Sequence, residues 1–372
     1  MKDKKILLVD ILFPTKYSQW RICETTSFIQ KKADIIVFKV DSFAGINFGA
    51  DFEEMSHQQG FEDYNIIIFD PKYNHLNKYN KKIDGTKWNG CFNASYIVTT
   101  EETFDLGKYD YVYHIFLMSY IRFNTCATFP PQKQAIHLYP GGGFTSVESA
   151  KQIHPATKVI STNIITTKVL ESLGHSNFIE CLGGTFFTHS DVQWTPKRSK
   201  KEITVAFASM GHAAEKGADI YKLIAKTYRE NFADDNVKFC AIGNITPDDN
   251  ITTHPIMPMS ELNKFYYENV DIMISLDTGL AFNGWPLGIE AVLGGAVLMT
   301  TDPHSLNSAM AIPTDALYIF DIKNTYDAVN FIRTMYLDRE KLLHHAQAGW
   351  NYFSHVNSYN SQQQKIFDFI EA

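Results

Sequence analysis

The stretch with the most chemical potential is Phe282-Asn283-Gly284-Trp285-Pro286-Leu287-Gly288-Ile289-Glu290-Ala291, followed by Gly294-Gly295 and the apolar run Ala296-Val297-Leu298-Met299-Thr300. It reads as a glycine-bearing loop, a helix from Pro286 to Gly294, and a strand. Proline suits the first turn of a helix, where its missing N–H has no partner to lose. Glycine lets backbone come close to a ligand. The free N–H groups and positive dipole end of a helix start suit a diphosphate. Glu290, about one turn in, can accept hydrogen bonds from vicinal hydroxyls such as those of a ribose. A second stretch runs from Phe207 through Gly211 and His212 to Glu215-Lys216-Gly217, where a helix opens. Lys216 puts a positive point charge beside that helix start. A third stretch, His137-Leu138-Tyr139-Pro140-Gly141-Gly142-Gly143-Phe144, follows a strand, and its glycines let N–H groups face a ligand. Plainer readings stand beside these. Glu290 is also a helix solvator, Lys216 a surface lysine, Asn283 a turn residue and His137 a hydrogen-bonded strand-end histidine; Trp285 packs under its loop.

The elements that position these residues follow from a recurring pattern: a short apolar run, a loop, then a segment of helical period. Expected strands are Ile6 to Ile11, Ala33 to Val40, Asn65 to Asp70, Tyr111 to Phe116, Ala135 to Leu138 and Lys158 to Thr162. Helices are expected over Ser18 to Lys32 and Thr166 to Leu173, with Gly174 as the stop. The pattern then restarts. Strands are expected at Ile203 to Ala208, Val237 to Gly243, Val270 to Ser275 and Ala296 to Thr300. Between them fall helices over Ala218 to Asn231, Ser260 to Asn269 and Pro286 to Gly294. Apolar runs without strict alternation belong to parallel strands covered on both faces. Two such series predict two Rossmann-like domains facing each other across a cleft. The expected division is 1–190, joined by a C-terminal helix at 350–372, and 191–349. Ligands of such sheets bind at the carboxyl ends of the strands.

Bulk properties narrow the class. The chain has 372 residues and a formal net charge of -7, against the basic face that a nucleic-acid binder carries. Its basic run, Lys197-Arg198-Ser199-Lys200-Lys201, reads as a solvated linker. Five widely spaced cysteines with no C-x-x-C pair fit neither a disulfide framework nor a zinc site, and a reducing compartment follows. The apolar run behind the basic N-terminus contains Asp10 and reads as a strand rather than a signal peptide. No stretch approaches the ~20 apolar residues of a membrane span; Tyr111 to Phe123 comes nearest. The expected location is cytoplasmic, with peripheral membrane contact left open.

The 282–302 stretch resembles the donor motif of the retaining GT-B glycosyltransferases of the family 4 type. That signature is an acidic residue, Gly, aromatic, Pro, then Leu-Glu-Ala and a later Gly. Gly284-Trp285-Pro286-Leu287, Ile289-Glu290-Ala291 and Gly294-Gly295 match it. The resemblance gives Glu290 the nucleotide ribose. The acidic residue that contacts the donor sugar would stand at Phe282, and Asn283 is the nearest polar side chain. Glu215-Lys216-Gly217 is similar to the family's diphosphate-binding loop, whose arginine is replaced in the region of Gly211 and His212. Weaker likenesses place Gly243 and Pro258 to Leu262 at the base, and Ser161 at the end of the interdomain strand. His137, Gly141 and Gly142 would face the donor sugar or acceptor. The likeness covers about 155–370 and fades before it.

The resemblance therefore implies a metal-independent, retaining transfer of a sugar from a nucleotide-diphosphate donor to a glycan or lipid-linked acceptor. His137 and Asn283 would be catalytic. Gly211, His212, Lys216, Gly243, Asn283, Gly284, Trp285, Pro286, Leu287 and Glu290 would hold the donor. No cofactor beyond the co-substrate, no metal and no nucleic acid are expected. A sugar-nucleotide epimerase and a non-catalytic sugar-nucleotide or glycan-binding module are the alternatives; a P-loop or G-x-G-x-x-G dinucleotide site is absent from the sequence.

Overall fold

In a computed structural model, the first third of the chain is described at residues 6–10, 34–38, 65–69 and 95–99. Beyond it, most of 106–138, 150–181, 202–209, 213–276, 286–356 and 365–372 is described. The chain divides into two compact units, Met1–Cys181 with Gln363–Ala372, and Leu182–Gln362.

The first unit is built on β1 (Ile6–Asp10), β2 (Asp34–Phe38), β3 (Asn65–Phe69), β4 (Ser95–Thr99), β5 (Tyr111–Ile115), β6 (Gln134–Leu138), β7 (Lys158–Ser161) and β8 (Phe178–Glu180). They form one sheet in the order β4-β3-β2-β1-β5-β6-β7-β8, with every pairing parallel. Sequence order reverses between β1 and β5, which makes their carboxyl ends the switch point of this sheet. Helices α1 (Leu117–Cys126) and α2 (Ile164–Ser172) cover one face through Leu117, Tyr120, Ile136, Leu138, Val159 and Leu170. On the opposite face, Lys158 donates at 2.9 and 2.8 Å to the carbonyls of Phe369 and Ile370, and Ile366 and Ile370 are buried. The chain end is thus part of this unit's packing. A cation at the last carbonyls of a helical segment also opposes its dipole.

A buried polar network fixes α1 to the sheet. His114 Nε2 lies 2.8 Å from Gln134 Oε1, and Gln134 Nε2 donates to Asn124 Oδ1 at 3.0 Å and to the Phe129 carbonyl at 2.9 Å. Asn124 Nδ2 in turn donates to the Tyr120 carbonyl and back to Gln134 Oε1. Because Oε1 can only accept, His114 carries its proton on Nε2. Burial lowers the imidazole pKa to about 3, against the opposing effect of the Gln134 bond.

The second unit contains β9 (Ile203–Ser209), β10 (Val237–Gly243), β11 (Thr252–His254), β12 (Ile272–Ser275), β13 (Val297–Thr300) and β14 (Tyr318–Ile319). Their order is β11-β10-β9-β12-β13-β14, again with parallel pairings. The helices are α3 (Ala218–Asn231), α4 (Met259–Asn269), α5 (Pro286–Leu293), α6 (Leu306–Met310), α7 (Thr325–Leu337) and α8 (Arg339–Val356). Side chains alternate across strands, so Phe207, Ile274 and Met299 share one face and Ala206, Met273 and Leu298 the other. Tyr221 of α3 stacks on Phe207 at 5.2 Å, and its hydroxyl lies 2.9 and 2.7 Å from the carbonyls of Val205 and Cys240. Helix α5 lies on the other face: a Cβ on Gly288 would stand 2.6 Å from Leu298 Cδ1 and 2.9 Å from Ser275 Cβ. Gly349 of α8 likewise admits the Ala316 carbonyl and Val292. The unit is a doubly wound α/β sheet.

Several expectations are corrected. Phe116 is not a strand residue but the N-cap of α1, at φ 77 and ψ 152. The apolar run Tyr111 to Phe123 is a strand plus the start of a helix, because chain reversal after Ile115 lets both bury on the sheet. Strands β4, β8, β11 and β14 and helices α1, α6 and α7 had no place in the periodicity reading. The short strands and α6 offer too few residues for a period to show. Helix α8 runs from Arg339 to Val356, its start set by Asp338, whose Oδ1 accepts from the Lys341 N–H at 2.9 Å, and helix is found again among the described residues of 365–371. The helix expected over Ser18 to Lys32 lies outside the described residues.

Candidate functional site

In the second sheet the order reverses between β9 and β12, neighbours paired at Val205–Ile272, Ala206–Met273 and Phe207–Ile274. Their carboxyl ends, Ser209 and Ser275, lead respectively into the loops before α3 and α5. The two helices lie on opposite faces, so α3 and α5 flank the strand ends at this reversal. Every element here is built for close approach. Gly217 is the N-cap of α3 at φ 83, where a side chain would be strained. Gly243 ends the neighbouring strand β10 at φ 106. Gly288 brings α5 against Ser275, the last residue of β12. Thr300 Oγ1 donates to the Ser275 carbonyl at 2.6 Å and ties β13 to the same edge.

Glu290 sits on this helix at 2% exposure. A buried carboxylate costs several kcal/mol unless it is paired or hydrogen-bonded, so its retention on an otherwise apolar helix marks it out. Leu287, Ile289, Ala291, Val292 and Leu293 around it are all buried. The neighbouring Tyr266 of α4 is fully buried; burial pushes its phenol well above the ordinary value, and the Glu290 carboxylate pushes it further in the same direction. Lys216 is half-buried immediately before the α3 N-cap. Pro286 opens α5 as expected.

The structure thus brings Glu290, Leu287, Pro286, Lys216 and Gly243 onto elements that end or begin at one sheet edge. Gly211, His212, Asn283, Gly284 and Trp285 belong to the connecting loops and lie outside the described residues. Periodicity missed Tyr266: in Phe265-Tyr266-Tyr267 nothing marks one tyrosine as fully buried and the next as exposed. The signal that finds it is spacing from Leu262, four residues earlier and also buried on α4.

In the first unit, His137 is fully buried in β6, with Nδ1 2.7 Å from the Tyr113 hydroxyl. Its carbonyl accepts from the Phe116 N–H at 3.0 Å, at the end of β5. A φ of 77 with ψ 152 is a region that a non-glycine residue occupies only when its surroundings impose it. Ser161 ends β7, is buried, and accepts from Thr167 Oγ1 at 3.0 Å. Gly141 and Gly142 lie outside the described residues.

Among the described residues there is no group of three or more His, Cys, Asp or Glu side chains that could hold a metal ion. Cys181 and Cys240 are free and buried, which pushes both thiols up to about 12, away from nucleophilic use. No helix among the described residues is long and apolar enough to cross a membrane.

No protein-family model matches this chain, and no curated protein matches it in sequence. Solved structures do match. A TarM variant of S. aureus, determined with Fondaparinux, alpha-GlcNAc-glycerol and UDP, has a TM-score of 0.55 at 15% identity, over 70% of this chain and 55% of its own. The present chain therefore spans about half of that protein. Sucrose-phosphate synthase from Thermosynechococcus elongatus has a TM-score of 0.60 at 11% identity, over 99% of this chain and 98% of its own. WaaG, a glycosyltransferase involved in lipopolysaccharide biosynthesis, has a TM-score of 0.59 at 11% identity, over 98% and 99%. These likenesses show the fold: two parallel-sheet α/β units, as in the GT-B glycosyltransferases.

Proposed function

We propose that the protein is a glycosyltransferase that moves a sugar from a nucleoside-diphosphate donor to a glycan or glycoconjugate acceptor. The observation that carries this reading is the buried carboxylate of Glu290, one turn into the helix that follows switch strand β12. In this reading Glu290 accepts the ribose hydroxyls. The N-terminus of α5 and the Lys216 ammonium face the diphosphate and offset the charge that builds on it as the sugar leaves. Gly243 leaves room for the base. Asn283, Gly284 and Trp285 belong to the sugar side of the donor, with Gly211 and His212 on the diphosphate loop. His137, Gly141, Gly142 and Ser161 are assigned to the acceptor side.

With charge handled by Lys216 and a helix N-terminus, transfer requires no metal and no cofactor beyond the co-substrate. The pattern around Glu290 supports retention of anomeric configuration. Polysaccharide or glycolipid synthesis at the cytoplasmic side of a membrane fits a lipid-linked acceptor. UDP in the TarM structure and lipopolysaccharide biosynthesis for WaaG support a nucleotide donor and a glycoconjugate acceptor.

The test is a thermal-shift screen of UDP, GDP, CDP, TDP and ADP, with wild type and Glu290→Ala side by side. A ligand that binds the folded state raises its stability by about 2.7 kcal/mol at a hundredfold excess over Kd. One nucleotide should stabilise the wild type, with or without EDTA, and the variant should lose most of the effect. Stabilisation by none of them removes the donor site. Asn283 in place of an acid favours a second reading, a sugar-nucleotide-binding module without transfer; it predicts the same shift but no release of nucleoside diphosphate from any donor sugar.

A further inference from the structure

Strands β5 and β6 place Tyr113 opposite Ala135, and Ile115 opposite His137. Tyr113 and His137 are thus diagonal neighbours on one face of the sheet. His114 and Ile136, which alternate with them, meet α1 on the other face. Ala135 has only a methyl to compete with the phenol, which leans along the strand until its hydroxyl lies 2.7 Å from His137 Nδ1. The two rings meet edge-on with centroids 6.0 Å apart. Tyr113 is 4% exposed and His137 fully buried, so water does not compete for this bond. The same strand end holds the histidine a second time, since its carbonyl accepts from the N–H of Phe116, the residue at φ 77. The end of β5 therefore fixes both the backbone and the ring of His137.

The bond also has a direction. A neutral imidazole donates through one nitrogen and accepts through the other. A buried phenol needs an acceptor for its proton, and among the described residues the Tyr113 hydroxyl has His137 Nδ1 for that. Burial keeps the proton on the oxygen by raising the phenol well above its ordinary value, with Cys181 pushing the same way. With Nδ1 accepting, the proton of the ring itself stands on Nε2. A carboxylate at Nδ1 does the opposite: it holds a proton on Nδ1 and leaves Nε2 as a base. Tyr113 is no such group.

We propose that Tyr113 is a positioning residue for His137, holding the imidazole as an Nε2–H donor that hydrogen-bonds a sugar hydroxyl instead of removing its proton. The inference rests on the acceptor-side role given to His137 above. An imidazole already fixed in tautomer and orientation loses little freedom when the sugar arrives. Phenylalanine at 113 keeps the ring and removes the anchor. Glutamine at 137 presents an amide N–H at nearly the place of Nε2 and has no basic nitrogen.

Nitrogen-15 NMR of protein labelled in its histidines reads the tautomer without any ligand. His137→Gln assigns the resonances among the 13 histidines of the chain. In the wild type at neutral pH, His137 should carry its proton on Nε2, and Tyr113→Phe should shift the Nδ1 resonance by loss of its hydrogen bond. The consequence is read as release of nucleoside diphosphate from UDP-glucose, UDP-N-acetylglucosamine, GDP-mannose and ADP-glucose, with glycerol and free monosaccharides as acceptors. Tyr113→Phe should lower kcat/KM for the acceptor roughly 3- to 10-fold, the span of one neutral hydrogen bond. His137→Gln should retain about tenfold more turnover than His137→Ala. In the His137→Gln background, Tyr113→Phe should cost less than it does in the wild type, since a residue acting through another falls silent once that residue is altered. A proton on Nδ1, His137→Gln as inactive as His137→Ala, or full turnover in a less stable Tyr113→Phe overturns the proposal. A wild type that releases nucleotide from none of these donors removes the transferase reading, and the proposal with it, whatever the nitrogen spectrum shows.

Discussion

His114 shows what a single buried side chain commits the protein to. Its Nε2–H is used by Gln134 and its ring meets Tyr120 and Phe123 edge-on at 5.3 and 5.1 Å. In the fold it takes up a proton only near pH 3, whereas an exposed histidine does so near 6.5. Between these values the unfolded chain holds the extra proton. Stability is therefore full above the unfolded pKa and falls as pH drops from about 6.5, by up to about 1.4 kcal/mol per unit from this residue. Denaturant midpoints between pH 7 and 4 should show the loss, and His114→Leu should be less stable at pH 7 but with a shallower acid slope. An unchanged slope would mean that carboxylates alone set the acid limit. Glu290 belongs to the same scale. Its replacement by alanine removes a buried charge, so the variant should lose nucleotide stabilisation without a matching loss of its own melting temperature.

At the scale of elements, the proposed donor edge depends on how closely α5 lies on β12 and β13. Gly288 sits inside a helix, where alanine would ordinarily gain about 1 kcal/mol by propensity. Here its methyl would meet Leu298 Cδ1 at 2.6 Å and Ser275 Cβ at 2.9 Å. Leu298 can rotate, but Ser275 Cβ is fixed to the strand. Overpacking of this kind costs about 1–3 kcal/mol, so packing outweighs propensity and Gly288→Ala should lower the melting temperature. It should also weaken nucleotide binding, because the start of α5 moves with its middle. A stabilised variant would show that the helix is free to slide. The β9–β12 pair needs no such device: its strands are locked by alternating faces, Phe207 to α3 and Ala206 to α5.

At the scale of the molecule, two sheets with separate cores make two cooperative units. Each buries its own cluster, one around Tyr221, Tyr228 and Phe239, the other around Leu117, Ile136 and Leu170. Scanning calorimetry should give an endotherm broader than a single two-state transition, with a van't Hoff enthalpy below the calorimetric one. The nucleotide found by the screen should shift the part that belongs to Leu182–Gln362 and leave the rest nearly in place. A uniform shift of one sharp transition would instead mean that the units melt together.

The sequence by itself determined the α/β class, the parallel strands and the elements from which the proposed donor edge is built. Long apolar runs such as Ile203 to Ser209 and Val237 to Gly243 can only be strands buried on both faces. Pro286 announces the helix start of α5, and with the glycines and Glu290 suggests the proposed ligand site, through local chemistry alone. It did not determine which strands are neighbours, and so could not place the β9–β12 reversal that gives α3 and α5 a common edge. Short strands such as β8, β11 and β14 had no pattern to read, since they exist by pairing with a neighbour rather than by their own composition. Phe116, at a positive φ, was likewise invisible, as was the meeting of Tyr266 with α5, although the spacing of Tyr266 from Leu262 marks it as buried. Their conformations are imposed by residues far away in the chain, and a contact between distant segments leaves no mark on the local pattern of either. Local rules write the elements; only long-range burial decides which of them meet.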